Sequence, residues 1–335
     1  MAYPRKTDWG FRCNSLTRLE GTRPATSKPR PGFLPLPYAV GMRVYPDVAQ
    51  ALQTRQAVVA LESTVITHGL PRPVNLELAR RLEDTVRQAG GIPATIAILK
   101  GEVVVGLTPD ELEAIANAEN AEKASLWNLG ALVAQGKNAG TTVAATAFLA
   151  HKVGIQVFAT GGIGGVHPHP YDESADLLLL SRTPIMLVSA GPKSILDLAA
   201  TLERLESLGV ALLGYKTHYL PAFHSPTSPY LLPVRVESPQ EAARVFRAAR
   251  ELELPGANLV LNPVSEGLDF AQVQRWVEQA TQEAARLGVT GKALTPFLLR
   301  RISELSGGQS DKVNLRLLVE NARLATQIAL ALSHG

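Results

Sequence analysis

The chain has 335 residues, enough for one large α/β domain or two small ones. Hydrophobic residues make up 46% and charged residues 19%, an ordinary balance for a globular protein, and no apolar run reaches the roughly 18 residues that span a bilayer. The single cysteine, Cys13, excludes an intrachain disulfide and a cysteine-based zinc site and fits a reducing compartment.

The formal charge of +3 at pH 7 is unevenly placed. Seven basic and two acidic residues fall within 1–41, which leaves 26 basic and 28 acidic residues, a net charge of −2, for the rest of the chain. The remainder has no bulk basic character that would point to a nucleic-acid binder. Residues 1–41 are rich in Arg, Pro, Gly and Ser and lack a hydrophobic period, so they read as a disordered basic extension. Three origins stand open: a mis-called start with translation from about Met42, a dispensable tail, or a targeting peptide. Against the last, Pro4, Pro24, Pro29 and Pro31 would break an amphipathic helix.

From Met42 onward, short apolar runs alternate with amphipathic stretches. The runs are Ala57–Leu61, Ala94–Leu99, Val103–Val105, Ile155–Ala159, Ile185–Ser189, Val210–Gly214, Leu232–Val236 and Asn258–Leu261. They are apolar on both faces, as strands buried between helices are. Asn75 is expected to cap a helix over Leu76–Ala89, and Thr108-Pro109 and Ser238-Pro239 read as further helix starts. This alternation predicts an α/β fold, a three-layer α/β/α sandwich. A turn at Lys100-Gly101-Glu102 makes the central sheet mixed, and a helical C-terminal segment begins near Asp269.

Ligands of open α/β sheets bind at the carboxyl ends of strands, and several such ends carry polar sequence. Glu62 ends a buried strand. It reads either as a general acid raised by desolvation or as a solvent-facing or capping carboxylate. Thr160-Gly161-Gly162-Ile163-Gly164-Gly165 is either an anion-binding loop or a plain tight turn. Asp172 and Asp176 share a face if their stretch is helical. They suit a hard cation or a solvated helix start. Pro192 reads as a first helical residue, which puts Lys193 in a first turn where the helix dipole disfavours an ammonium. Lys193 is then an amine nucleophile, a surface lysine or a phosphate contact. Asn314, Leu317, Leu318 and Asn321 fall on one helical face, where the asparagines contact a ligand or satisfy backbone. Gly136-Lys137-Asn138 is not a P-loop, because its lysine precedes the second glycine of the stretch. Asn138 or Thr141 is expected to cap the helix that follows. Together these features suggest a lysine-imine or metal-assisted enzyme acting on a phosphorylated sugar.

The same stretches resemble the pseudouridine-5′-phosphate glycosidase family, also known as indigoidine synthase A-like. The resemblance rests on Val59-Ala60-Leu61-Glu62-Ser63-Thr64, Gly136-Lys137-Asn138, Phe158 to His167, Ser174-Ala175-Asp176, Ala190-Gly191-Pro192-Lys193-Ser194 and Thr295-Pro296-Phe297, in order along residues 45–331. It implies one catalytic domain over residues 42–335. The implied activity is reversible cleavage of pseudouridine 5′-phosphate to uracil and ribose 5-phosphate. The alternative is a related phosphorylated C-nucleoside as substrate. It also implies Glu62 as general acid and Lys193 as imine-forming nucleophile. Lys123, Val143, Ser174, Ala175, Asp176 and Asn314 are the implied substrate contacts, and Asp172 the ligand of a manganese ion. A homotrimer in the cytoplasm is the implied assembly.

Overall fold

The structure, a computed structural model, describes residues 42–168 and 172–334, so the expectation for residues 1–41 lies outside the described residues. The strands are β1 (Met42–Val44), β2 (Val58–Leu61), β3 (Ile92–Leu99), β4 (Glu102–Val105), β5 (Glu122–Ala124), β6 (Ala139–Thr141), β7 (Val157–Ala159), β8 (Met186–Ser189), β9 (Ala211–Tyr215), β10 (Val234–Val236) and β11 (Asn258–Leu261). The helices are α1 (Pro46–Gln53), α2 (Val74–Gln88), α3 (Pro109–Asn117), α4 (Leu126–Ala134), α5 (Val143–Lys152), α6 (Ala175–Leu180), α7 (Leu198–Ser207), α8 (Pro239–Glu251), α9 (Phe270–Arg286), α10 (Leu294–Leu305) and α11 (Gln309–Ser333).

The main sheet runs β1-β4-β3-β2-β7-β8-β11-β9-β10, and β6 pairs with both β3 and β5. From β3 to β10 neighbouring strands are parallel, whereas β4 and β6 each pair antiparallel with β3. The sheet is therefore mixed, as the turn after Leu99 requires.

Strand alternation sends every second residue to one of two cores. Val58 and Ala60, Phe158, Leu187 and Leu259 join residues of α1, α5, α6 and α7 on one face. Val59 and Leu61, Val157, Val188 and Val260 join α2, α8 and α11 on the other. These are the two outer layers of the expected sandwich. The C-terminal helices divide their work. α11 packs on β2, β7 and β8 between α2 and α8, and α9 pairs with α10. The α9–α10 pair buries Ala280, Ala284, Leu298 and Ile302 against Ile195 and Leu196, which follow Lys193 in the chain.

Three helix starts come out differently from the sequence. α2 begins at Val74 with Pro73 at its N-cap position, so Asn75 is not the cap. Its buried amide instead donates to Ile66 O and Ala116 O, both at 2.9 Å, and ties two loops together. α5 is capped by Thr142, whose hydroxyl accepts from Ala145 N, and not by Asn138 or Thr141. Residues 192–197 are not helical, and α7 starts at Leu198 with Asp197 as its N-cap. Thr108 forms the expected capping box with Glu111, and Ser238 caps α8.

His224 is 3% exposed, and its Nδ1 lies 2.9 Å from Ser194 Oγ. Burial pushes its pKa down to about 4. An unfolded histidine titrates near 6.5, so between these values the unfolded chain binds the extra proton and stability rises with pH. The contribution is complete above about pH 6.5 and is lost as pH falls toward 4, by about 3 kcal/mol in all. Thermal melts from pH 7 to 4 should therefore fall less steeply for His224→Gln than for the parent chain. Parallel curves would show that His224 carries no such linkage.

Candidate active site

The carboxyl ends of β2, β5, β6, β7 and β8 lead into a cavity of about 390 Å³, within the usual range for small-molecule sites. Glu62, Lys123, Val143, Ser174, Ala175, Asp176 and Lys193 all line it. Asn314 and Asp172 do not belong to this lining, although His167 and Glu173, close to Asp172 in sequence, do. Trp127, Ser125, Asn128 and Thr142 also line the cavity, and nothing in the sequence patterning singles them out. A larger hollow of about 600 Å³ between α8 and α11 is lined by Arg247, Gln327 and His334 among others, with no carboxylate and no lysine. The carboxylates and lysines converge on the smaller cavity.

Each charged group is held differently. Glu62 follows the last residue of β2 and keeps a partial opening to the cavity while its carboxyl sits deep among protein atoms. Burial pushes its pKa up. Lys193, a hydrogen bond from Thr160 Oγ1 and Lys123 pull it down, and Asp176 adds to the rise. Lys123 stands on the short edge strand β5. Burial lowers its pKa and the nearby Lys193 lowers it further, against the pull of Asp176 and Glu62. Much of the Lys123 side chain is open at the cavity mouth, where solvent softens these effects. Asp176 is buried at the start of α6. Its Oδ1 accepts from Ala144 N at 2.9 Å and its Oδ2 from Gly164 N at 2.8 Å. This carboxylate thus clamps the start of α5 to the glycine loop. Asp172 precedes α6, so the two aspartates share no helical face.

Lys193 owes its place to a turn and not to a helix. Gly191 has φ +90°, and a Cβ there would lie 2.0 Å from Pro221 O, so only glycine makes this turn. Lys193 N then donates to Ile163 O at 3.1 Å. No helix dipole acts on this lysine from its own segment, because residues 192–197 are not helical. What the fold supplies in its place is a backbone pinned to the glycine loop on one side and to the α9–α10 pair, through Ile195 and Leu196, on the other.

The glycine loop is built for close packing. A Cβ at Gly164 would meet Ser174 Oγ at 2.2 Å, and one at Gly162 would meet the Phe223 ring at 2.5 Å. Ile163 N donates to Gly191 O, Gly164 N to Asp176 and Val166 N to Thr201 Oγ1. These three amides are spent inside the protein, so the Ile163–Val166 stretch orders the site as a tight turn.

The chain matches the model of the family described as indigoidine synthase A-like protein over residues 47–331. It belongs to that family. A relative from Thermus thermophilus, named pseudouridine-5′-phosphate glycosidase, is 66% identical over 279 residues, 83% of this chain and 99% of the relative. Another of that name from Petrotoga mobilis is 46% identical over 86% of this chain and 96% of its own length. Among solved structures, an indigoidine synthase A-like protein from Thermotoga maritima superposes with a TM-score of 0.80 at 40% identity, covering 87% of this chain and 96% of the other. The prealnumycin C-glycosynthase AlnA in complex with ribulose 5-phosphate does so with 0.81 at 38% identity, covering 88% and 97%. These matches fix the fold of this family member as the mixed α/β sandwich described above.

Proposed function

We propose that this family member is a pseudouridine-5′-phosphate glycosidase, which splits the carbon–carbon glycosidic bond with uptake of water to give uracil and ribose 5-phosphate, reversibly. The observation that carries this reading is the convergence of one buried carboxyl, two lysines and a clamped aspartate on one cavity, in a chain 66% identical to an enzyme of that name. A carbon leaving group makes the paired-carboxylate route of ordinary glycosidases a poor fit. A lysine amine supplies the alternative. Lys193 Nζ bonds to C1′ as the C1′–O4′ bond breaks and the ribose ring opens, the amine giving up a proton and O4′ taking one. As the C1′–C5 bond breaks, its electron pair passes to C5 of uracil, which takes a proton from Glu62. The nitrogen lone pair forms the C1′ iminium, and water hydrolyses it to release ribose 5-phosphate and free Lys193. Lys123, Val143, Ser174, Ala175 and Asp176 serve in this reading as substrate contacts, and Asn314, on α11 outside that lining, is assigned as a contact on the resemblance alone. The rigid hold on Asp176 suits it to placing groups more than to exchanging protons.

A second assignment has one observation in its favour. Burial and the Lys193 charge both disfavour the ammonium of Lys123, the usual way to activate a lysine as a nucleophile. Lys123 is therefore the rival imine former. Among the described residues no group of three or more His, Cys, Asp or Glu converges to hold a metal. A lone carboxylate suits an ion that keeps most of its waters, as manganese or magnesium does, and does not suit zinc. We assign Asp172 as the residue that would hold manganese, which when bound would supply positive charge for the anionic substrate. The likeness to a C-glycosynthase favours, as the other substrate reading, a related phosphorylated C-nucleoside.

The assembly we assign is a trimer, and an interface between copies is supported by apolar side chains on neighbouring helices. Trp127 on α4 is 83% exposed, Leu178 on α6 50% and Phe148 on α5 38%, and α5 packs on α6. No helix among the described residues is long and apolar enough to cross a membrane. The single cysteine fits a reducing compartment, which supports the cytoplasm as its place.

Incubation with pseudouridine 5′-phosphate, with manganese and after chelation, should release ultraviolet-absorbing uracil only when the metal is present. Light scattering of the same sample should weigh three subunits. No uracil in either condition would defeat the proposed reaction, equal rates would defeat the metal, and a monomer would defeat the assembly.

A further inference from the structure

Behind Glu62, on the side away from the cavity, a run of hydrogen bonds crosses the sheet. Thr160 follows the end of β7, is 2% exposed and does not line the cavity. Its Oγ1 donates to Glu62 Oε1. Its backbone is held on two sides, with Thr160 N donating to Val188 O at 3.0 Å and Thr160 O accepting from Asn321 Nδ2 at 2.8 Å. Asn321, fully buried on α11, in turn accepts from Asn262 Nδ2 at 3.0 Å just past the end of β11. Asn262 N is fixed to Ser189 O at 2.8 Å. The chain Asn262–Asn321–Thr160–Glu62 thus links the ends of β11, β7 and β2 through one helix.

Such a network is costly to bury unless each member is satisfied, and when satisfied it rigidifies what it touches. Its one contact that reaches the cavity wall is Glu62. Resting on the reading of Glu62 as general acid, we infer that Thr160, anchored by Asn321, is the positioning residue of that acid: it fixes one carboxyl oxygen from behind so that the other is presented to the substrate base. A carboxyl free to rotate would spend much of its time off line, and misplacement of an acid costs rate even where binding is kept.

The groups facing Glu62 are Thr160, Lys193, Asp176 and Lys123. Of these, Thr160 holds the carboxylate down by hydrogen bonding, and its loss pushes Glu62 further up. The test is therefore two-part. In Thr160→Val the plateau kcat for uracil release should fall about tenfold, while the alkaline limb of the kcat profile moves to higher pH. Thr160→Ser should restore both. Borohydride trapping of ribose 5-phosphate on Lys193 should remain as in the parent chain. Unchanged kcat and an unmoved limb in Thr160→Val would overturn the inference. So would a loss that serine does not rescue, or a limb moved to lower pH, since a site merely loosened and wetted shifts that way. The proposed reaction fails separately, as absence of uracil release by the parent chain itself.

Discussion

Lys193→Ala should lower uracil release from pseudouridine 5′-phosphate by on the order of 10⁴- to 10⁶-fold, the scale of losing a covalent nucleophile. Lys193→Arg should not restore it, because a guanidinium does not give up its proton to become an amine. The fold should survive both changes. Lys193 is half-buried, its backbone bond to Ile163 is independent of the side chain, and the neighbouring Ile195 and Leu196 keep their packing. Borohydride reduction with ribose 5-phosphate, followed by peptide mass analysis, should place the sugar on Lys193 in the parent chain. If the alanine variant kept near-normal turnover and the sugar appeared on Lys123, the two lysines would have to exchange roles.

Glu62→Gln should cost about 10²- to 10⁴-fold in kcat, the usual contribution of a positioned acid. It should also remove the alkaline limb from the pH profile. The acid works while protonated, so activity is present below its raised pKa and fades as pH climbs through it. The substitution should move stability the opposite way from activity. A carboxyl whose pKa is higher folded than unfolded keeps more protons in the folded state, so its contribution is present at low pH and is lost as pH rises through the folded value. Glutamine is spared that loss. The variant should therefore melt higher than the parent at neutral and alkaline pH, where the parent must ionise a buried group, and the gap should close in acid. A parent-like pH limb, or a melting gap that grows toward low pH, would contradict the role given to Glu62.

Much of the sheet was legible in the sequence. The strands of the central sheet announce themselves because both faces are apolar, and Val58-Val59-Ala60-Leu61 feeds the two cores alternately. The strands that pattern reading passed over, β1, β5 and β6, are three residues each and take their register from neighbours. β5 reads Glu-Lys-Ala, with no apolar alternation to see, although it carries Lys123. Glu62 could be found at a strand end, but not the hydroxyl behind it, because Thr160 looks like any threonine before a glycine run. Lys193 stands out in the sequence as a first-turn lysine, and the structure puts it in an extended turn. Proline suits a first helical turn and an extended loop equally, and what decides here is a long-range bond to Ile163 that local sequence does not encode. Asn321 stood out as a polar residue on an apolar stripe, and only its partners on β7 and after β11 say what it is for.

The placement of α11 has a consequence for how the chain is made. Val59, Leu61, Val157 and Val188 face α11, and α11 is synthesised after every strand of the sheet. Until it leaves the ribosome and docks, the stripe of sheet between α2 and α8 stays uncovered, and Thr160 has no Asn321 to hold it. The nascent protein therefore passes through a long stretch of elongation with an exposed apolar surface of the kind chaperones recognise. The carboxyl of Glu62 acquires that support only once α11 has docked.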